Sequence, residues 1–235
     1  MIRFFLLNAF IAIHTIIFCL WGIFLTLFDR SGRLMHFYTS VPWARVILRV
    51  CGIKVYVKGL DNVDSHEPGI YVANHQSYFD IFALLAYLPV DFRFILKQEL
   101  MKIPLLGFTL RRAKYIAIDR DDPKKAVKGM NEAAEMVRNG GSVLIFPEGT
   151  RSIDGRLQPF KRGGFHLALK SGCALVPVAI INSRNIVPKG SLRINRGTFG
   201  MNIGKPIPVK GYKKRDMNQL MMRVREAIIS QMDES

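Results

Sequence analysis

His75 and Asp80, five residues apart in Asn74-His75-Gln76-Ser77-Tyr78-Phe79-Asp80, are the pair in this chain best suited to moving a proton. An imidazole can take the proton of an attacking hydroxyl, and a carboxylate on its other nitrogen fixes the tautomer and stabilises the imidazolium that forms. Within one helix the two side chains would point about 140° apart, so the pairing requires His75 in a loop and Asp80 in the first helical turn. Ser77-x-x-Asp80 is also a capping-box pattern, so an Asp80 that only caps a helix is a second reading. The other histidines lack such a setting: His14 lies in an apolar run, His36 and His66 in connecting segments, and His166 in a helical pattern. They are read as bystanders.

A second cluster, Phe146-Pro147-Glu148-Gly149-Thr150-Arg151-Ser152, follows another apolar run. Gly149 allows close backbone approach, Thr150 and Ser152 supply hydroxyls, and Arg151 can grip a phosphate with two parallel hydrogen bonds. An ordinary turn is the competing reading. The basic stretch Phe160-Lys161-Arg162-Gly163-Gly164 comes shortly after. The three cysteines, Cys19, Cys51 and Cys173, are far apart and form no CxxC or Cys/His group, which argues against a disulfide framework or a zinc site and for a reducing compartment.

Both clusters sit where strands should end. Ile53, Val55 and Val57 alternate with Lys54, Tyr56 and Lys58, the pattern of a half-buried strand. Short apolar runs at Ile70–Ala73, Phe92–Leu96, Tyr115–Ile118, Ser142–Phe146 and Ala174–Ile180 fit strands covered on both faces. Between them lies a helix opened by Asp122 and Pro123, striped by Ala126, Val127, Met130, Ala134 and Val137, and stopped at Asn139-Gly140. Another begins at Asp216, with Gln219 completing a capping-box-like pair and Met217, Leu220, Met221, Val224 and Ile228 on one face. The alternation predicts an α/β domain over residues 51–235, with a mixed, largely parallel sheet covered by helices on both faces. In such sheets ligands bind beyond the carboxyl ends of the strands.

Residues 1–50 read differently. From Phe4 to Phe28 no side chain is charged. As a helix this run would be about 37 Å long, enough for a hydrocarbon core of about 30 Å. It is too long for the apolar core of a signal peptide and lacks a small-residue cleavage site. Pro42 opens a second helix with Trp43, Val46, Ile47 and Val50 on one side and Arg45 and Arg49 on the other, a pattern suited to the headgroup layer. Through Lys58, the basic residues Arg3, Arg30, Arg33, Arg45, Arg49, Lys54 and Lys58 face Asp29 alone. The expectation is a helical membrane anchor; cations at both ends of the apolar run leave its orientation, and whether it spans or turns back, undecided. Over the whole chain, 34 Lys+Arg against 18 Asp+Glu give a formal charge of +16, which calls for a polyanionic partner. A nucleic-acid binder would leave the anchor and both clusters unexplained. An anionic-lipid-binding protein without catalysis would leave His75 and Asp80 unexplained. A hydrolase would need only water in place of the acceptor, although no GxSxG elbow supports a serine esterase.

These residues resemble the glycerolipid acyltransferases, and among them the 1-acyl-sn-glycerol-3-phosphate acyltransferases of bacterial type. Asn74 to Asp80 matches the family's NHxSxxD, or HX4D, block. Lys97-Gln98-Glu99-Leu100 with Pro104, Gly107 and Ile118-Asp119-Arg120 is similar to its second block. Phe146 to Ser152 matches FPEGTRS, with Phe160-Lys161-Arg162-Gly163 behind it, and Val176-Pro177-Val178 is similar to the fourth block. The likeness covers roughly residues 50–210. It implies His75 as the catalytic base aided by Asp80, with Glu148, Gly149, Thr150 and Arg151 holding the glycerol-phosphate end and Lys97 as a further phosphate ligand. The implied reaction carries an acyl group from acyl-CoA or acyl carrier protein to the sn-2 hydroxyl of lysophosphatidic acid, forming phosphatidic acid without an acyl-enzyme, metal or cofactor. Another lysolipid acceptor is the nearest variant. The expected location is the cell membrane, at an anionic surface, with the site at its cytoplasmic face.

Overall fold

The computed structural model describes residues 1–29, 31–119 and 122–233; Arg30 and Arg120 lie outside the described residues. Seven strands form one sheet: β1 (Ile53–Lys58), β2 (Ile70–Ala73), β3 (Phe92–Lys97), β4 (Ile116–Ile118), β5 (Ser142–Ile145), β6 (Leu175–Ile181) and β7 (Gly197–Ile203). Their order is β1-β7-β6-β2-β5-β3-β4, and every pairing is parallel except β6 with β7. β2 sits centrally, with Ile70 opposite Val143 on one side and Leu175 on the other.

All four residues of β2 are buried, because both faces of the sheet are covered. Period-two alternation sends Tyr71 and Ala73 into one core layer and Ile70 and Val72 into the other. The first layer is closed by α3 (Val41–Cys51) and α4 (Phe79–Tyr87), and the second by α6 (Pro123–Arg138), α7 (Gly163–Ser171) and α8 (Met217–Asp233). The remaining helices are α1 (Ile2–Leu25), the short α2 (Arg33–Met35), which passes through a π-helical turn at His36–Ser40 into α3, and α5 (Leu106–Arg112). α6 starts as its sequence requires: Asp122 Oδ1 accepts the N–H groups of Lys124 and Lys125, and Pro123 follows at the first position. α8 departs in one detail. Asp216 accepts the N–H of Lys213 at 2.9 Å, reaching backward across a 3₁₀ turn, so the expected pairing with Gln219 gives way to a cap three residues upstream.

The largest correction concerns α3. Its face of Ala44, Ile47, Leu48 and Cys51 is buried in the first core layer, and Trp43 packs edge-on against Phe82 of α4. Of the stripe expected to meet the headgroups, Ile47 is buried, Trp43 and Val46 are half-buried and Val50 alone is exposed, beside Arg45 and Arg49, so the helix keeps no broad apolar face for the headgroup layer. α1 keeps its apolar surface outward. It is 24 residues long, with a mean hydropathy of 2.1 and 11% of its most apolar window buried. By length and composition it can cross a membrane. It is also tied along the body: Arg3 donates to the carbonyls of Ile194 (2.9 Å) and Cys51 (3.2 Å), and Trp43 Nε1 donates to Thr15 Oγ1 (3.1 Å). Near its other end, Gly22 lies so close to Met35 that an added Cβ would be 3.1 Å from the methionine methyl.

Candidate active site

The chain leaves β2 at Ala73 and enters α4 at Phe79, which puts His75 in the connecting loop and Asp80 in the first helical turn. The two meet there. Nδ1 of His75 lies 2.8 Å from Oδ2 of Asp80. The same carboxylate oxygen accepts the backbone N–H groups of Gln76 (2.7 Å) and Ser77 (2.9 Å). Both readings of Asp80 are therefore realised by one fully buried carboxylate: it holds the turn and it faces the imidazole. With Nδ1–H donating to Asp80, Nε2 carries the lone pair.

The loop is pinned from every side. Asn74 exchanges two bonds with Ile180 on β6, its Oδ1 accepting from the backbone N–H (2.6 Å) and its Nδ2 donating to the carbonyl (2.8 Å). Ser77 Oγ donates to the carbonyl of Val187 at 3.0 Å. The carbonyl of His75 accepts from Ser152 N–H at 2.7 Å, which joins the two clusters found in the sequence. The imidazole stacks on Phe146 at 4.0 Å between centroids and 15° between planes, and Phe146 stacks in turn on Phe94. A ring held by a carboxylate at one nitrogen and an aromatic face has little rotational freedom left.

The Phe146–Ser152 loop follows β5. Gly149 has φ of 72°, a left-handed conformation that favours glycine. Arg151 lays its guanidinium 3.7 Å above the ring of Tyr78, and its Nη1 is buried without a hydrogen-bond partner among the described residues. Thr150 Oγ1 accepts from the ammonium of Lys189 at 3.0 Å. Glu148, expected beside a bound phosphate, is turned inward instead. Oε1 accepts the N–H of His75 (2.7 Å) and Oε2 that of Gln158 (2.8 Å), and the residue is 4% exposed. Burial pushes its carboxyl up to about 7, against the pull of those two amides. Lys97 stands at the end of β3, half exposed, with its ammonium 2.6 Å from Glu99. An apolar cleft of about 530 Å³ adjoins Phe146, lined by Ile95, Val127, Met130 and Leu167 together with Lys161 and Lys170.

Lys189 escaped the sequence reading. It follows Pro188 in a loop without a motif, and its place beside Thr150 depends on the Ser77–Val187 bond, a contact 110 residues apart in the chain. The rule that ligands gather beyond strand ends would have drawn attention to the loop after β6.

Known proteins resemble this chain in sequence and fold. The acyltransferase family model matches residues 54–181. The chloroplastic 1-acyl-sn-glycerol-3-phosphate acyltransferase of Brassica napus is 39% identical over 186 residues, covering 78% of this chain and 54% of that protein. Its counterpart in Arabidopsis thaliana is also 39% identical, over 78% of this chain and 52% of its own length. The chain thus spans about half the length of the curated relatives it matches. The crystal structure of the 1-acyl-sn-glycerophosphate acyltransferase PlsC from Thermotoga maritima superposes with a TM-score of 0.84 at 28% identity, over 99% of this chain and 96% of that one. The matched segment takes in β2, β5 and both loops described above, and on these grounds the chain belongs to the acyltransferase family.

Proposed function

We propose that this protein transfers a fatty acyl group from an acyl thioester to the sn-2 hydroxyl of 1-acyl-glycerol-3-phosphate, giving phosphatidic acid and a free thiol. The observation that carries the reading is the His75–Asp80 pair at 2.8 Å, in a loop bonded to that of Arg151, whose guanidinium has a buried nitrogen without a hydrogen-bond partner among the described residues. Nε2 of His75 removes the hydroxyl proton as the oxygen attacks the thioester carbonyl. The resulting imidazolium is stabilised by Asp80. The tetrahedral intermediate then collapses, the C–S bond breaks, and the departing thiolate receives the proton held on Nε2. His75 is restored and no acyl-enzyme forms. The route calls for no metal or cofactor, only acyl-CoA or acyl carrier protein as co-substrate.

Arg151, Thr150 and the backbone at Gly149 hold the acceptor's phosphate in this reading. Lys97, already paired with Glu99, is the outer member of the set. Glu148 acts as a positioning residue, since both of its oxygens are engaged by backbone N–H groups. The apolar cleft beside Phe146 suits an acyl chain. α1 is the membrane anchor of the 1–50 region and the α/β domain is the catalytic unit. Because α1 is tied to the body along its length, the anchor offers the bilayer an exposed flank, with the site at the cytoplasmic face, where thioester donors are found.

Purified protein in lipid, given labelled acyl-CoA and a panel of lysolipids, tests the reading by product mass. Phosphatidic acid as the main product is expected. Free fatty acid alone would point to hydrolysis, and a different phospholipid to another acceptor.

A further inference from the structure

Residues 100–114 connect β3 to β4 and hold three large apolar side chains in the open: Leu100, Ile103 and Phe108 are 39%, 45% and 40% exposed. Their exposure is built in. Leu105 takes φ of 61°, a left-handed conformation that a non-glycine residue adopts only when its surroundings impose it. Gly107 approaches the Met101 carbonyl so closely that an added Cβ would sit 2.1 Å from its oxygen. Arg111 donates to that same oxygen at 2.7 Å, and Thr109 Oγ1 donates to the carbonyl of Leu105 at 2.8 Å. The turn is braced from inside, and the apolar tips point away from the brace.

Its charge is one-sided. Between Leu100 and Lys114 stand Lys102, Arg111, Arg112 and Lys114 without one Asp or Glu. The guanidinium of Arg112 lies 5.2 Å from the centroid of the Phe108 ring. Apolar tips ringed by cations suit the boundary between acyl chains and anionic headgroups, where each Lys or Arg near the surface is worth about fivefold in affinity. Position points the same way. Thr109 of α5 packs against Gly22 of α1, so the turn sits beside the carboxyl-terminal half of the anchor helix. The turn also leaves the carboxyl end of β3, the end of the sheet from which the His75 and Arg151 loops emerge.

We propose that residues 100–114 form a second membrane contact, separate from α1: Ile103 and Phe108 enter an anionic bilayer while Lys102, Arg112 and Lys114 meet its phosphates. Two contacts define a tilt where one would leave the domain free to swing, and this tilt turns the active-site end of the sheet toward the lipid. The inference rests on the placement of α1 at the bilayer but not on which lysolipid is acylated.

Tryptophan quenching tests it on the full chain. Ile103→Trp and Phe108→Trp are each reconstituted with vesicles containing phosphatidylglycerol, with and without brominated acyl chains, beside Met222→Trp, 55% exposed on α8, a helix that closes the second core layer. Emission of the parent, which has Trp21 and Trp43, is subtracted. Bromines should remove about half or more of the added emission at 103 and 108, as expected for side chains at the acyl boundary, and leave that at 222 unchanged. A parent that fails to sediment with vesicles overturns both the α1 placement and this contact. A parent that sediments while positions 103 and 108 escape quenching overturns this contact alone. So does shielding of those positions by an acidic acyl carrier protein but not by lipid, which would make the surface a protein-docking site.

Discussion

The loops that leave β2 and β5 each bury a carboxylate, and both carboxylates act on His75 from different sides. Asp80 is fully buried and meets the imidazole while also accepting two backbone N–H groups. Glu148 is almost as buried and accepts two backbone N–H groups, one on each oxygen. One of those amides is that of His75 itself, so Asp80 orients the side chain and Glu148 fixes the backbone that bears it. Residue type and burial are nearly the same in the two loops. What separates a proton-transfer partner from a strut is which group of the histidine each oxygen faces, a distinction of a few ångströms that composition cannot carry.

The comparison can be broken most directly at the ring. His75→Ala should lower kcat by about 10²–10⁴-fold in a variant that still folds, with only a modest drop in melting temperature from the lost Asp80 bond and Phe146 stack. Activity within about threefold of wild type in the folded variant would end the assignment. Asp80→Asn should come next, with a loss approaching that of His75→Ala, since the amide can present its NH2 to the ring and disturb the tautomer. If Asp80 served only as a cap, the cost would be about 1 kcal/mol of stability with full activity. Rates measured beside melting curves separate the two.

Arg151 tests the loop after β5 at its substrate-facing end. Arg151→Ala should raise KM for lysophosphatidic acid far more than KM for the thioester, lowering kcat/KM by about 10- to 150-fold as a charge-assisted bond is lost. Lys should rescue only in part, since an ammonium cannot reproduce the planar fork or its stacking on Tyr78. A local ion pair with Glu148 would predict lost stability instead, but the Glu148 oxygens are already bonded to His75 and Gln158. A lower melting temperature with an unchanged acceptor KM would remove Arg151 from the site.

Much of this was legible in the sequence because the signals are local. β2 was bounded to the residue by its apolar run, and α6 by Asp122, Pro123 and the Asn139-Gly140 stop. The requirement that His75 precede the helix and Asp80 lie in its first turn came from helical geometry alone. β7 was missed because Gly197, Gly200 and Asn202 dilute a strand whose inward alternation, Phe199, Met201 and Ile203, is plain only once β6 lies beside it. α3 was sent to the membrane because amphipathicity shows that a face must be covered, and not by what; here α4 covers it. The inward turn of Glu148 and the reach of Lys189 were illegible for the same reason, since each depends on partners brought near by the fold.

The smallest expected effect sharpens the comparison at the strut. Burial raises the Glu148 carboxyl to about 7, above the range of an exposed glutamate at about 4.3. Between those values the folded chain holds a proton that the unfolded chain has released, so stability falls as pH climbs through the window, by up to about 1.4 kcal/mol per unit. Glu148→Gln cannot titrate. Its amide also turns an NH2 toward one of the two backbone N–H groups, a loss of about 1–3 kcal/mol at every pH. The variant should therefore be less stable than wild type near pH 5, and the gap should narrow toward pH 8, by about 2–4 °C in melting temperature for each kcal/mol. Parallel curves would mean that the two amides hold Glu148 ionised throughout. The rate should fall less than in Asp80→Asn, because the histidine keeps its ring partner and loses only part of its backbone support. An equal loss in the two variants would erase the distinction between the loops and make Glu148 a participant in the chemistry.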